Sequence, residues 1–177
     1  MNQLDFLKWP EKPVLIDNKL YLEIINADLQ FSFNEVQDLI KFEHYEEAKL
    51  VMRGIETERY TQNYADSIDN NIDFAYGQLI DDIHSRRSII KISPNSINQD
   101  ACLNHMQFLI RDNELNVIAS LRSSEAKTFL LFDLALIYYT TERIFKVLQM
   151  FYNLKLGYIY LQIGSLHIPY DETTFSE

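Results

Sequence analysis

Hydrophobic and polar positions change period several times along the chain, and each change marks an element. "KLYLEII" (Lys19 to Ile25) is a β-prone run and predicts a strand. "SFNE" sets Ser32 three residues before Glu35, the spacing of a capping box. The helix it opens is expected to run through "VQDLIKFEHYEEAKLVMR" and to stop at Gly54. "ERYTQNYADSIDNNID" is polar and reads as irregular surface. "FAYGQLIDDIHSRR" predicts a short helix ending in two adjacent arginines, and "SIIKIS" predicts a strand. "MQFLIR" and "ELNVIASL" flank Asp112-Asn113, which predicts a β-hairpin. "SSEAKTFLLFDLALIYYTTERIFKVLQMFYN" predicts the clearest helix. Its later half sets Leu136, Tyr139, Ile144, Leu148 and Phe151 at helical spacing. "LGYIYLQIGSLHI" predicts a last strand. Long helices mixed with hairpins imply an α+β fold, with helices packed against a sheet.

Composition narrows the class. The 177 residues suggest one domain, 1–177, with room for a substantial core. No repeat or low-complexity tract divides the chain. Aromatic residues make up 13% and apolar residues 47%, which excludes a disordered chain. A net charge of -10 argues against nucleic acid or an anionic membrane as a partner. It leaves room for a local basic pocket that holds one phosphate. The single cysteine excludes an intramolecular disulfide and a cysteine-rich zinc site, and no metal is expected. "MNQLDFLKWPEK" lacks the apolar core of a secretory signal, and the run around "FLLFDLALIYY" is too short for a membrane span. A cytoplasmic protein in a reducing compartment is expected.

Several residues strain a purely structural reading. Cys102 is either a small core hydrophobe or a nucleophile. Asp133 sits among apolar neighbours, where an unpaired carboxylate is costly. Arg86-Arg87 and Arg122-Ser123 suit an anion, because guanidinium forks match phosphate oxygens. His167 in "GSLHIPY" and Glu47 in "YEEAKLVMRG" are ordinary taken singly.

Taken together, their order and spacing are specific. The chain resembles the thymidylate synthase family, and most closely its phage-type deoxycytidylate (dCMP) hydroxymethylase branch. Cys102 precedes Gln107-Phe108 by the family's spacing, a hairpin with Asp112 at its turn follows, and Arg122-Ser123 stand where the family has its Arg-Ser pair. Ser85-Arg86-Arg87 match the family's paired arginines, Tyr76-Gly77 its Tyr-Gly element, Glu47 and Gly54 its catalytic Glu before a Gly, and Gly164 and His167 its closing Gly-x-x-His. Uracil-using members carry an Asn in a Phe-Asn-hydrophobic-Ala stretch. Here the stretch is Phe132-Asp133-Leu134-Ala135. Cytosine presents an amino donor and a ring N3 that gains a proton on activation, and a carboxylate accepts from both.

The resemblance implies a thymidylate synthase-like mixed β-sheet with helices packed on one face. It implies folate-dependent C5 hydroxymethylation or methylation of a cytosine nucleotide, dCMP or CMP, with 5,10-methylenetetrahydrofolate as cofactor. Cys102 would attack C6 and so make C5 nucleophilic. Glu47 would order water and move protons, and Asp133 would stabilise the N3-protonated ring. Arg122 and Ser123 would hold the phosphate, His167 the sugar hydroxyl, and Gln107, Glu125 and Tyr76 would complete the substrate site. Arg86 and Arg87 would reach the phosphate of the neighbouring subunit in a homodimer. The pattern departs from the family in places. Pro169 replaces a Tyr, Glu125 replaces an Asp, the early phosphate-loop arginine has no counterpart, and the chain stops soon after His167. Alternatives stay open: a non-catalytic pyrimidine-nucleotide-binding or sensing relative, or a methylating synthase for uracil nucleotides, against which Asp133 argues.

Overall fold

The computed structural model describes residues 7–53, 55, 62–92 and 101–170. Gly54, at which a helix was expected to stop, lies outside them. Six strands form one sheet: β1 (Val14–Ile16), β2 (Lys19–Ser32), β3 (Ile89–Lys91), β4 (Leu103–Arg111), β5 (Glu114–Glu125) and β6 (Lys155–Pro169). Their order across the sheet is β1-β2-β6-β5-β4-β3. Every neighbouring pair is antiparallel except β5 with β6. Parallel neighbours need a crossover, and α4 (Leu130–Leu148) provides it. The other helices are α1 (Phe33–Leu39), α2 (Phe42–Met52) and α3 (Gln62–Asp81).

Burial alternates along β5 and β6, so one face of the sheet is covered and the other is not. Val117, Ala119, Leu121, Ile159, Leu161 and Ile163 are buried, whereas Tyr158, Tyr160 and Gln162 are exposed. The helices pack on the buried face around α4, whose residues Leu134 to Ile137 are buried all round.

Local chemistry explains the elements. Asp112 and Asn113 both have positive φ, as a two-residue hairpin turn requires, and Asp17-Asn18 make the same turn between β1 and β2. The Ser32 hydroxyl accepts from the Glu35 N–H, and the Glu35 carboxylate accepts from the Ser32 N–H, closing the expected capping box. The helix it opens is not continuous. Ile40 and Lys41 are extended, and the Lys41 N–H donates to His44 Nδ1 at 3.0 Å, so a second helix begins.

Two further expectations are corrected. Most of the stretch read as irregular surface belongs to α3. Its apolar residues are sparse, but Ala65, Ile68, Ile72, Ala75 and Leu79 recur at alternating steps of three and four and form one buried seam. The "SSE" expected to start the long helix instead ends β5, because Ser123, Ser124 and Glu125 pair with β6.

Candidate functional site

Strand register assembles a polar cluster at one end of the sheet. Parallel pairing sets Ser123 beside Ser165 and Glu125 beside His167. Antiparallel pairing sets Glu23 on the other side of His167. The Arg122 N–H donates to the Cys102 carbonyl at 2.7 Å, which brings the cysteine to the same end. Gly164 permits the close approach of β6 to β5. A Cβ there would lie 2.7 Å from the Arg122 carbonyl oxygen, nearer than carbon tolerates.

The Cys102 sulfur is 3.7 Å from Ser123 Oγ and 3.9 Å from the Arg122 guanidinium. It is half-buried, so it is neither the sealed core hydrophobe nor a fully exposed thiol. Beside it lies a cavity of about 290 Å³. Cys102, Ser123, Glu125, Asp133 and His167 line it, together with Ser124, Phe129 and Tyr64.

Asp133 is 5% exposed and stands in the first turn of α4. It is therefore not on a solvent-facing helix side. The Ser124 hydroxyl donates to its Oδ2 at 2.8 Å. The positive end of the helix dipole favours negative charge at that place.

Tyr64 is a site residue that sequence reasoning missed. Its hydroxyl oxygen accepts from the N–H of Cys102 at 3.0 Å and of Leu103 at 3.3 Å. Burial pushes its hydroxyl well above the ordinary tyrosine range, and the neighbouring Asp133 charge adds to the shift. The α3 seam, which begins at Tyr64-Ala65, is the signal that could have found it. Ser124, Ser165 and Glu23 were likewise unmarked, and only the strand register reveals them.

Other candidates lie elsewhere. Glu47 lines a separate cavity of about 470 Å³ with Lys41, His44, Lys127 and Phe132. His44 is buried there with its ring edge-on to Phe132. Residues 127–133 wall both cavities, Lys127, Thr128, Leu131 and Phe132 on one and Phe129 and Asp133 on the other. Arg86 and Arg87 are exposed in the turn before β3. The Gln107 amide donates to the Arg86 carbonyl at 2.8 Å, so Gln107 braces that turn rather than the thiol. Tyr76 lies within α3, where Asp73 accepts from its hydroxyl and raises its pKa, and it does not line the Cys102 cavity. No group of three metal-ligating side chains occurs among the described residues.

No protein-family model and no curated protein sequence matches the chain. Solved structures do match. The thermostable thymidylate synthase A of Bacillus subtilis superposes with a TM-score of 0.67 at 17% sequence identity, over 85% of this chain and 67% of that chain. The chain has the thymidylate synthase fold, an α+β arrangement of a mixed sheet with helices on one face.

Proposed function

We propose that the Cys102 cavity binds a pyrimidine nucleoside monophosphate and that the protein transfers a one-carbon unit to C5 of a cytosine nucleotide, dCMP or CMP, as a 5-hydroxymethyltransferase-like enzyme. One observation carries this reading: a buried carboxylate, Asp133, lines the same cavity as a lone thiol that stands beside a guanidinium. A helix core would exclude such an acid unless a ligand edge or a fixed donor needed it. Cytosine supplies two donors to it, the N4 amino group and the protonated N3.

In this mechanism the Cys102 sulfur adds to C6, and the ring electron pair shifts to C5. Asp133 holds the proton that N3 gains, with Ser124 fixing the carboxylate. Tyr64 holds the backbone amides that carry the thiol. Arg122 and Ser123 take the phosphate, and His167 takes a sugar hydroxyl. Loss of the C5 proton and expulsion of the Cys102 thiolate from C6 restore the ring double bond and complete the exchange of hydrogen for carbon.

The residues of the second cavity fit 5,10-methylenetetrahydrofolate in donor chemistry. Lys41 and Lys127 suit its carboxylates, and Phe132 offers an aromatic face. When bound, that cofactor supplies the one-carbon unit at the oxidation level of a methylene group. Glu47, in the wall of that cavity, orders water. A homodimer is part of the same reading. The uncovered sheet face with Tyr158 and Tyr160 offers an apolar surface for a second copy, and the exposed Arg86 and Arg87 serve the neighbouring subunit.

A second reading, a non-catalytic pyrimidine-nucleotide-binding relative, is favoured by the separation of Glu47 from the thiol's cavity. Tritium release from C5-labelled dCMP and dUMP, with and without the folate, decides between them. Release from dCMP that depends on Cys102 supports the enzyme. Tight dCMP binding without release supports the binder.

A further inference from the structure

We propose that Glu23 is a positioning residue that locks His167 in its Nδ1–H form, so that Nε2 meets the ligand as a hydrogen-bond acceptor. The inference rests on the reading of the Cys102 cavity as a nucleotide site. It begins from a chain of three side chains across β2 and β6. The Ser165 hydroxyl donates to Glu23 Oε1. Ser165 Oγ lies 3.5 Å from His167 Nδ1, and the Ser165 carbonyl oxygen lies 3.4 Å from the same nitrogen.

Counting donors and acceptors fixes the outcome. An ionised carboxylate only accepts, so Glu23 takes the single proton of the Ser165 hydroxyl. Ser165 Oγ can then only accept from His167. The Ser165 carbonyl only accepts as well. Both groups facing Nδ1 therefore require a proton on it. In the neutral ring the other nitrogen, Nε2, is bare. The ring cannot easily turn away from this arrangement, because Tyr21 packs edge-on against it with centroids 5.2 Å apart.

The neighbouring acid does not perform this task. Glu125 pairs with His167 across β5 and β6, but its Oε1 accepts from Thr128 Oγ1 at 2.5 Å. Glu23 alone of the two reaches Ser165 in this way. The consequence is chemical selectivity at the cavity wall. His167 with a bare Nε2 takes a hydroxyl that donates, as a sugar hydroxyl does. A ligand that offers only an acceptor there loses that hydrogen bond.

The test is imidazole nitrogen-proton correlation by NMR on the whole chain at neutral pH. His44→Gln, His84→Gln and His105→Gln variants assign the signals. The expected spectrum has a protonated Nδ1 and a bare Nε2 on His167. An Nε2–H form in the unsubstituted protein overturns the proposal. In Glu23→Leu no acceptor takes the Ser165 proton, which is then free to turn to Nδ1, and the Nε2–H form should gain population. An unchanged spectrum removes Glu23 from the role, and should that variant fail to fold, the unsubstituted spectrum still decides the form. Binding supplies the second arm. The 3′-deoxy-3′-fluoro analogue should bind about tenfold more weakly than dCMP, narrowing to less than about threefold in Glu23→Leu. An equal loss in both proteins overturns the coupling to Glu23. Failure to bind dCMP at all, with the Nδ1–H form intact, sinks the nucleotide reading and leaves the lock standing.

Discussion

α3 and α4 are nearly equal in length, and each sends one polar side chain to the Cys102 cavity. They do so in opposite ways. α4 is apolar on almost every side and carries a charge, Asp133, into its own buried first turn. α3 is polar on most sides and supplies a neutral hydroxyl, Tyr64, near its start. Asp133 accepts from a side chain and presents a carboxylate to the cavity, whereas Tyr64 accepts from the backbone of Cys102 and of Leu103, where β4 starts. A charge in an apolar helix is costly and needs a fixed donor, as Ser124 is here, or a ligand edge to offset it. A tyrosine that takes two backbone donors is justified by structure alone. In the proposed mechanism, the α4 group is tuned to the substrate and the α3 group to the nucleophile's position.

Substitutions can separate the two roles, and the largest effect belongs to the group both helices serve. Cys102→Ala should reduce C5 tritium release by on the order of 10³-fold or more while dCMP affinity stays within a few-fold. Full release in the variant would return the cysteine to packing.

Asp133→Asn comes next. It should lower cytosine turnover by on the order of 10³-fold and raise affinity for the uracil nucleotide, since an amide serves O4 and N3–H together. Parallel titrations of dCMP and dUMP check it. An unchanged preference would remove Asp133 from substrate recognition.

Tyr64→Phe should act on stability first. It leaves the Cys102 and Leu103 N–H groups without their acceptor, at a cost of about 1–3 kcal/mol. Thermal melting should fall by about 2–4 °C per kcal/mol, with the dCMP-to-dUMP preference unchanged. A changed preference would mean that the α3 group also reads the base.

The smallest effect is one of pH. The folded Tyr64 hydroxyl holds its proton more tightly than the unfolded one, whose ordinary pKa is 10.0. Its contribution to stability is complete below that value and is lost as pH rises through it towards the higher folded pKa. Denaturant melts at pH 9 and pH 11 should show the unsubstituted protein losing more stability than Tyr64→Phe. Equal losses would place the shift on other tyrosines.

The same contrast explains what could be read from the sequence. α4 was legible because its apolar residues outnumber its polar ones, although its start was placed too early. Ser123 to Glu125 can serve a helix start or a strand end, and only pairing with Ser165 and His167 decides. α3 was half missed because a seam of Ala and Ile among Asp and Asn gives weak periodicity, and Tyr64 went with it. The hairpin at Asp112-Asn113 was read correctly, yet the identical pair Asp17-Asn18 was passed over because the strand before it is so short. At the site, the order of Cys102, Arg122-Ser123, Asp133 and His167 was visible as spacing. The links through Ser124, Ser165 and Glu23 were not, because a register joining β2 to β6 is a relation between distant parts of the chain.

That long-range pairing carries a consequence for how the molecule is made. β2 lies beside β6, and the strands between them in sequence lie elsewhere in the sheet. During synthesis the β4–β5 hairpin can close early, since its turn is local. β2 must wait for nearly the whole described chain to leave the ribosome before Leu22 meets Ile168. Until then the edge that takes β6 stays open to other chains. Glu23 and His167 come together in that last pairing, so a nascent chain would acquire the strand next to Cys102 well before the His167 wall of its cavity.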